Sequence, residues 1–253
     1  MSFLEVEIDG PVATLTLNRP EKRNAMSDAF LAEIEAVFAA PPKGVRVAVL
    51  TGSGGHFCAG LDLAEHIDRP AEDEIRHSRS WHAALDRVQF GGLPVVSALC
   101  GAVIGGGLEI ATATHVRVAE PSAFYQMPEG RRGIFVGGGA TVRLGRILGP
   151  DRLTEMMLTG RRYGAEEGQA LGLSHYLVGP GEALARAQAL ARQIAGNAAL
   201  SNYLMIQAVA RIGNMSAGDG LFTESLCAAL AQSGPDAAEG LAAFLEKRPP
   251  RFG

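Results

Sequence analysis

The sequence predicts an α/β core followed by an all-helical final third. Three observations predict this. From the N-terminus to about residue 120, apolar β-type runs alternate with segments of helical period, the pattern of strand–helix–strand units. From residue 140 onward strand signals fade, and alanine and leucine dominate. The 32 glycines among 253 residues cluster at 52–60, 101–107 and 130–139. That is nearly twice the roughly 7% of ordinary usage, and it marks special turns rather than a flexible linker.

The elements follow in order. Ala13, Leu15 and Leu17 alternate with Thr14 and Thr16, a half-buried strand that Asn18-Arg19-Pro20 ends. Met26, Phe30, Ile34, Val37 and Phe38 recur at helical spacing, predicting a helix over 26–39 that Pro41-Pro42 stops. Val45 to Leu50 is an apolar run broken only by Arg46, a strand covered on both faces. A glycine loop over 51–55 and a tight connection over 56–63 come next, then a charged segment over 65–80 that reads as mobile. A helix is expected over 80–90, a strand over 94–99, a short helix over 109–114 and a strand over 116–119. Further helices are predicted at 139–148, 151–158, 165–171, 182–195, 198–211, 219–231 and 236–246.

Bulk properties exclude several classes. Hydrophobic residues make up 47% of the chain, as in an ordinary globular protein. The net charge is −4 with no lysine-rich tract, which argues against nucleic-acid binding. No window reaches the roughly 18 uninterrupted apolar residues of a membrane span. The N-terminal segment has an acid where a signal peptide carries lysine or arginine, and Cys58, Cys100 and Cys227 are unpatterned. A reducing, cytoplasmic location without disulfides is therefore expected. His56, His66, His77, His82, His115 and His175 show no metal-ligand spacing, and His77 and His82 are expected at the surface. Trp81 is expected either to pack or to help cover a bound chain.

Three pieces carry chemistry. The first is Gly105-Gly106-Gly107-Leu108-Glu109, a glycine turn at a helix start, where backbone N–H groups lack partners and a carboxylate follows. The second is Glu129 in the run Pro128-Glu129-Gly130-Arg131-Arg132-Gly133. The third is Ala59-Gly60-Leu61-Asp62-Leu63. Taken singly, each has a plain structural reading: a close-packing turn, a loop acid paired with Arg131 or Arg132, and an aspartate capping a helix. Together, two carboxylates beside exposed amides suit proton transfer next to a stabilised oxyanion.

In this order and spacing the pieces resemble the crotonase superfamily, specifically the enoyl-CoA hydratases. The resemblance covers nearly the whole chain. It also includes Val12 to Pro20, Asn24-Ala25, Leu50-Thr51-Gly52, Phe57-Cys58 and the run Phe244 to Pro250. It implies a spiral of strand–strand–helix (ββα) units over residues 1–195 that holds the active site. A helical region over 196–253 would form a homotrimer or a dimer of trimers. It implies an acyl-CoA substrate, with coenzyme A as part of that substrate, no separate cofactor and no metal. The thioester oxygen would lie between the backbone N–H groups of Leu61 and Gly106. Glu109 and Glu129 would jointly handle one water and its protons. Isomerases of the family rely on a single acid at the position of Glu129. Lys22, Arg23, Ala25, Ala59, Asp62 and Leu63 match segments that approach coenzyme A, and Phe244 and Lys247 match positions that reach a neighbouring subunit's coenzyme A.

Two departures stand out. Cys100 replaces a frequent Asn, and Gly130, Arg131 and Arg132 replace hydrophobic residues. Arg131 or Arg132 is expected either at the acyl end, favouring a polar or short acyl group, or in a salt bridge at a subunit contact. The leading expectation is an enoyl-CoA hydratase. The rivals are an isomerase, thioester hydrolase or dehydratase of the same type, and a coenzyme A- or RNA-binding homologue without catalysis.

Overall fold

The structure, a computed structural model, describes residues 2–64 and 70–252. It opens with a hairpin of β1 (Leu4–Asp9) and β2 (Val12–Leu17), then α1 (Asp28–Ala39) and β3 (Val47–Gly52). Next come α2 (Ala71–Phe90), β4 (Val95–Leu99), β5 (Ala102–Ile104), α3 (Gly106–Ala113), β6 (Val116–Ala119) and β7 (Phe124–Gln126). The remainder comprises α4 (Ala140–Leu148), α5 (Pro150–Thr159), β8 (Tyr163–Gly164), α6 (Ala165–Ala170), β9 (Tyr176–Leu177) and α7 (Ala183–Ala195). The chain closes with α8 (Ala199–Ile212), α9 (Ala217–Gln232) and α10 (Pro235–Leu245).

A large sheet runs in the order β1-β2-β3-β4-β6-β9 and is parallel beyond its opening hairpin. A small sheet runs β5-β7-β8. The two are built by one repeated step. In β4-β5-α3, and again from β6 through β7 to α4, the first strand joins the large sheet, the second joins the small sheet, and a helix follows. The turn after β3 makes the same step in miniature, with Cys58 bridging Val103 of β5. The expected spiral of ββα units is the architecture found.

Side-chain alternation explains the layering. Successive strand residues point to opposite faces. Ala48 and Leu50 of β3 pack with Phe30, Ile34 and Phe38 of α1, whereas Val47 and Val49 pack with Ala187, Leu190 and Ala191 of α7. Both faces of β3 are thus covered, as its continuous apolar run requires.

Four expectations need correction. The strand expected from Val45 begins at Val47, because β3 pairs with β2 from Val12–Val47 to Leu17–Gly52. The segment expected to be mobile over 65–80 is helical from Ala71, while 65–69, including His66, lies outside the described residues. Glu72, Asp73 and Glu74 in the first turn suit a helix N-terminus, and Trp81, Ala84, Leu85 and Val88 form its buried stripe. Strand β1 and the short strands β5, β7, β8 and β9 lacked a readable sequence signal, and two of them follow residue 140. Finally, His77 does not stand at the open surface. Its side chain is 13% exposed, and its Nε2 lies 2.6 Å from Asp28 Oδ1.

Beyond α7 the described chain is dominated by α8, α9 and α10, and these helices expose large apolar side chains. Met205, Val209, Leu221, Phe222, Leu226, Leu241, Phe244 and Leu245 are each more than half exposed. Among the described residues, no helix is long and apolar enough to cross a membrane.

Candidate active site

A cavity of about 340 Å³ opens between the Ala59–Leu61 loop, the start of α3, the turn carrying Glu129 and the inner face of α2. It brings together Leu61, Gly106, Glu109 and Glu129, residues up to 68 positions apart in the chain.

The amides come from two glycine-rich stretches. Leu61 forms a one-residue parallel bridge with Met26, in which Met26 N–H donates to Gly60 O (2.7 Å) and Asp62 N–H to Met26 O (2.9 Å). That bridge uses the neighbours of Leu61 and leaves its own N–H free of backbone acceptors among the described residues. Gly106 is the first residue of α3, so its N–H has no intrahelical acceptor. The two stretches touch: a Cβ on Gly60 would lie 3.1 Å from Gly106 N and 2.7 Å from Ile104 O. Any side chain at Gly60 would therefore cover the Gly106 amide. Asn24 braces the segment that leads into this loop. Its Nδ2 reaches the carbonyls of Ser53, His56 and Phe57, at 3.0, 2.7 and 3.2 Å.

The carboxylates are held differently. Glu109, in the first turn of α3, is 4% exposed. Its Oε1 accepts N–H bonds from Gly138 (2.8 Å) and Ala140 (3.0 Å), at the N-terminus of α4. Burial raises its pKa, against the opposing pull of those N–H groups and of Arg143. Glu129 opens a short 3-10 turn over Glu129–Arg132 and is 7% exposed. Its Oε2 is buried without a hydrogen-bond partner among the described residues. Burial pushes its pKa up to about 7; its own amide and Arg132 oppose the rise, and the charge of Glu109 adds to it. One carboxylate is therefore anchored by backbone, and the other keeps an oxygen open.

The α2 wall supplies Glu74, His77, Ser78 and Trp81. Trp81 stacks close to the amide corner, because a Cβ on Gly106 would lie 3.0 Å from its ring. Ser78 Oγ ties α2 to the glycine run by donating to Gly137 O (2.7 Å). Of the two expected arginines, Arg132 lines the cavity. Arg131 turns away to the Thr159 carbonyl. Cys100 is absent from the cavity wall, and its carbonyl accepts from Phe57 N–H (2.7 Å).

The residues expected at coenzyme A separate into groups. Ala59 N–H donates to Arg23 O (2.9 Å), so the 22–25 and 59–63 segments lie side by side. Ala59 and Leu63 line the cavity, while Lys22 and Arg23 are exposed and Ala25 is buried. The carboxylate of Asp62 lies 2.8 Å from Arg19 Nη1 and 3.7 Å from Lys22 Nζ. Burial would raise its pKa, but the Ala64 N–H, Lys22 and Arg19 hold it below the usual carboxylate range. Phe244 is 79% exposed on α10, and Lys247 follows it at positive φ; neither joins the cavity of its own chain.

Residues that sequence reasoning missed here are Glu74, His77, Ser78, Gly138 and Arg143. The only signal that could have found any of them was the glycine run 137–139.

The profile of the enoyl-CoA hydratase/isomerase family matches residues 7–253. A Thermus thermophilus protein provisionally named an enoyl-CoA hydratase is 38% identical, over 96% of this chain and 98% of that one. The enoyl-CoA hydratase EchA19 of Mycobacterium tuberculosis is 31% identical over 98% of this chain and 95% of its own. A crystal structure from Rhodopseudomonas palustris, also provisionally an enoyl-CoA hydratase, superposes with a TM-score of 0.94 at 48% identity, covering 97% of this chain and 95% of that one.

Proposed function

The chain belongs to the enoyl-CoA hydratase/isomerase family, and on that premise we propose that it adds water across the trans-2 double bond of an enoyl-CoA thioester to give a 3-hydroxyacyl-CoA. One observation carries this reading: two carboxylates share one cavity with two amides that have no backbone acceptor among the described residues. The Leu61 and Gly106 N–H groups would hold the thioester oxygen and stabilise the charge it gains as the double bond is attacked. Their position is preorganised, so they need not reorganise during the reaction.

The unequal anchoring of the acids supports a division of labour. Glu109 has backbone donors that favour its ionised form, and would accept a proton from water as the water oxygen bonds to the β-carbon. Glu129, with a pKa near 7, would be protonated often enough to deliver a proton to the α-carbon. The pair begins and ends with one shared proton, carried by opposite members, and exchange with solvent resets it. Isomerisation needs only one shuttling acid. Glu129 alone could serve it, and several relatives carry both activities in their names. The test is incubation of the purified protein with crotonyl-CoA. Loss of the enoyl thioester absorbance with formation of 3-hydroxybutyryl-CoA and no free coenzyme A is expected. Release of free coenzyme A, or a shifted double bond without hydration, would overturn the reading.

Lys22, Arg23, Ala59 and Leu63 would contact coenzyme A along the rim, the cations meeting phosphates. The exposed apolar faces of α8, α9 and α10 support a homo-oligomer, into which Phe244 and Lys247 would project. Light scattering is expected to give a multiple of the 26.5 kDa chain mass. A monomer at micromolar concentration would remove that part.

A further inference from the structure

The backbone run Gly137–Gly139 has a charged side chain on each side. On the cavity side, Glu109 Oε1 accepts from the Gly138 and Ala140 amides at 2.8 and 3.0 Å, and the Gly139 amide adds to the stabilisation of its ionised form. On the other side, Arg143 Nη1 donates to the Gly138 carbonyl at 2.9 Å. The fit is tight on both sides. A Cβ on Gly138 would lie 2.6 Å from Glu109 Oε2, and a Cβ on Gly139 would lie 2.3 Å from Arg143 Nη1. The run therefore carries a guanidinium on the Gly138 carbonyl and a carboxylate on the N–H groups of Gly138 and Ala140, the peptides on either side of that carbonyl. Such chains strengthen each member in a low-dielectric interior.

Arg143 is itself fixed from α2. Its Nε donates to Gln89 Oε1 at 2.7 Å and its Nη2 to Asp86 Oδ1 at 2.5 Å. Its side chain is 8% exposed, whereas that of Asp86 is 59% exposed. It does not line the cavity. A buried guanidinium with every nitrogen engaged is expensive to desolvate, and a helix-to-helix tie alone could be made by an apolar pair.

We propose that Arg143 is a positioning residue for Glu109: it locks the Gly138 carbonyl so that the amides of the run converge on one carboxylate oxygen and fix how the other faces the cavity. The proposal rests on the reading that Glu109 exchanges a proton with water in this site. Arg143 touches no reacting atom, so its loss should act through Glu109 alone.

The test is Arg143→Gln and Arg143→Lys, each made in the wild type and in Glu109→Gln, assayed on crotonyl-CoA. In the wild type, Arg143→Gln is expected to lower kcat about 10- to 100-fold, the size of effect that small misplacement of a reacting group produces. KM should change by less than about twofold. Arg143→Lys keeps the charge without the fork and should recover only part of the loss. In Glu109→Gln, Arg143→Gln should cost nothing further, because there is no carboxylate left to position. Equal losses in both backgrounds, or a raised KM at unchanged kcat, would overturn the proposal. If Arg143→Gln does not fold, Asp86→Asn, which loosens the exposed end of the network, should give a smaller loss in the same direction and the same dependence on Glu109. Amide hydrogen exchange over residues 137–140 gives a readout that needs no turnover. Faster exchange there in Arg143→Gln or Asp86→Asn is expected, and unchanged exchange would count against the proposal even if the protein hydrated no enoyl-CoA.

Discussion

Glu109 and Glu129 line one cavity, yet the regions that carry them differ in almost every physical respect. Glu109 sits in a helix whose eight residues are all buried, with backbone amides on one oxygen. Glu129 opens a four-residue turn in which it alone is buried, and one of its oxygens has no partner among the described residues. Burial acts on both carboxylates in the same direction, so burial cannot distinguish them. Local hydrogen bonding does. The backbone donors at Glu109 offset part of the rise that burial causes there, whereas Glu129, which burial pushes up to about 7, keeps one oxygen without a partner among the described residues. On the proposed reading, two identical side chains take opposite halves of one reaction.

The largest expected effect tests that difference directly. Glu129→Gln should lower kcat about 10³-fold on crotonyl-CoA, within the range general acid–base groups supply. Glu109→Gln should lower it less, about 10²-fold, at the low end of that range. Measured kcat values in the reverse order would break the comparison.

A smaller effect sharpens it. The pKa of Glu129 rises from 4.5 to about 7 on folding, so the folded state resists its ionisation. No penalty exists below pH 4.5, where the group is protonated in both states. The penalty grows between pH 4.5 and 7 and is complete above. Its upper bound is about 3 kcal/mol. Glu109 and Arg132 face this group and stay in place in the variant. Glu129→Gln should therefore melt several degrees higher than the wild type at pH 8 and at nearly the same temperature at pH 5. A Tm difference independent of pH would mean that Glu129 is not held with a raised pKa.

Much of the fold was legible from residue patterns. The run Val47 to Leu50 is apolar at every position because both faces of β3 are covered, and that needs no tertiary knowledge to recognise. The helices of the final third stood out by their alanine and leucine content and by the fading of strand signals. The short strands of the small sheet did not. With three residues or fewer, β5, β7 and β8 are too brief to show a period, and only pairing with one another stabilises them. The N-terminal half of α2 was lost for a different reason. Its charged face outweighs a buried stripe that starts only at Trp81. The same oversight hid His77, Ser78 and Glu74, which that helix turns toward the cavity.

Within the site, the glycine triplet, both glutamates and the Ala59–Leu63 connection could be named from the chain alone. Their composition is unusual and each carries its own chemical possibility. The inequality of the two glutamates could not be read that way. It depends on Gly138, Ala140 and Arg143, which approach Glu109 from about thirty residues away, and on one oxygen of Glu129 having no partner among the described residues. By itself, then, the sequence determined the α/β-then-helical order, the family and the groups capable of proton transfer, because propensity, period and glycine spacing are local properties. Only the tertiary structure decided which carboxylate is anchored, which amides stay free and which wall faces them. Those outcomes depend on which distant backbone groups arrive within hydrogen-bond range, and no local pattern encodes that.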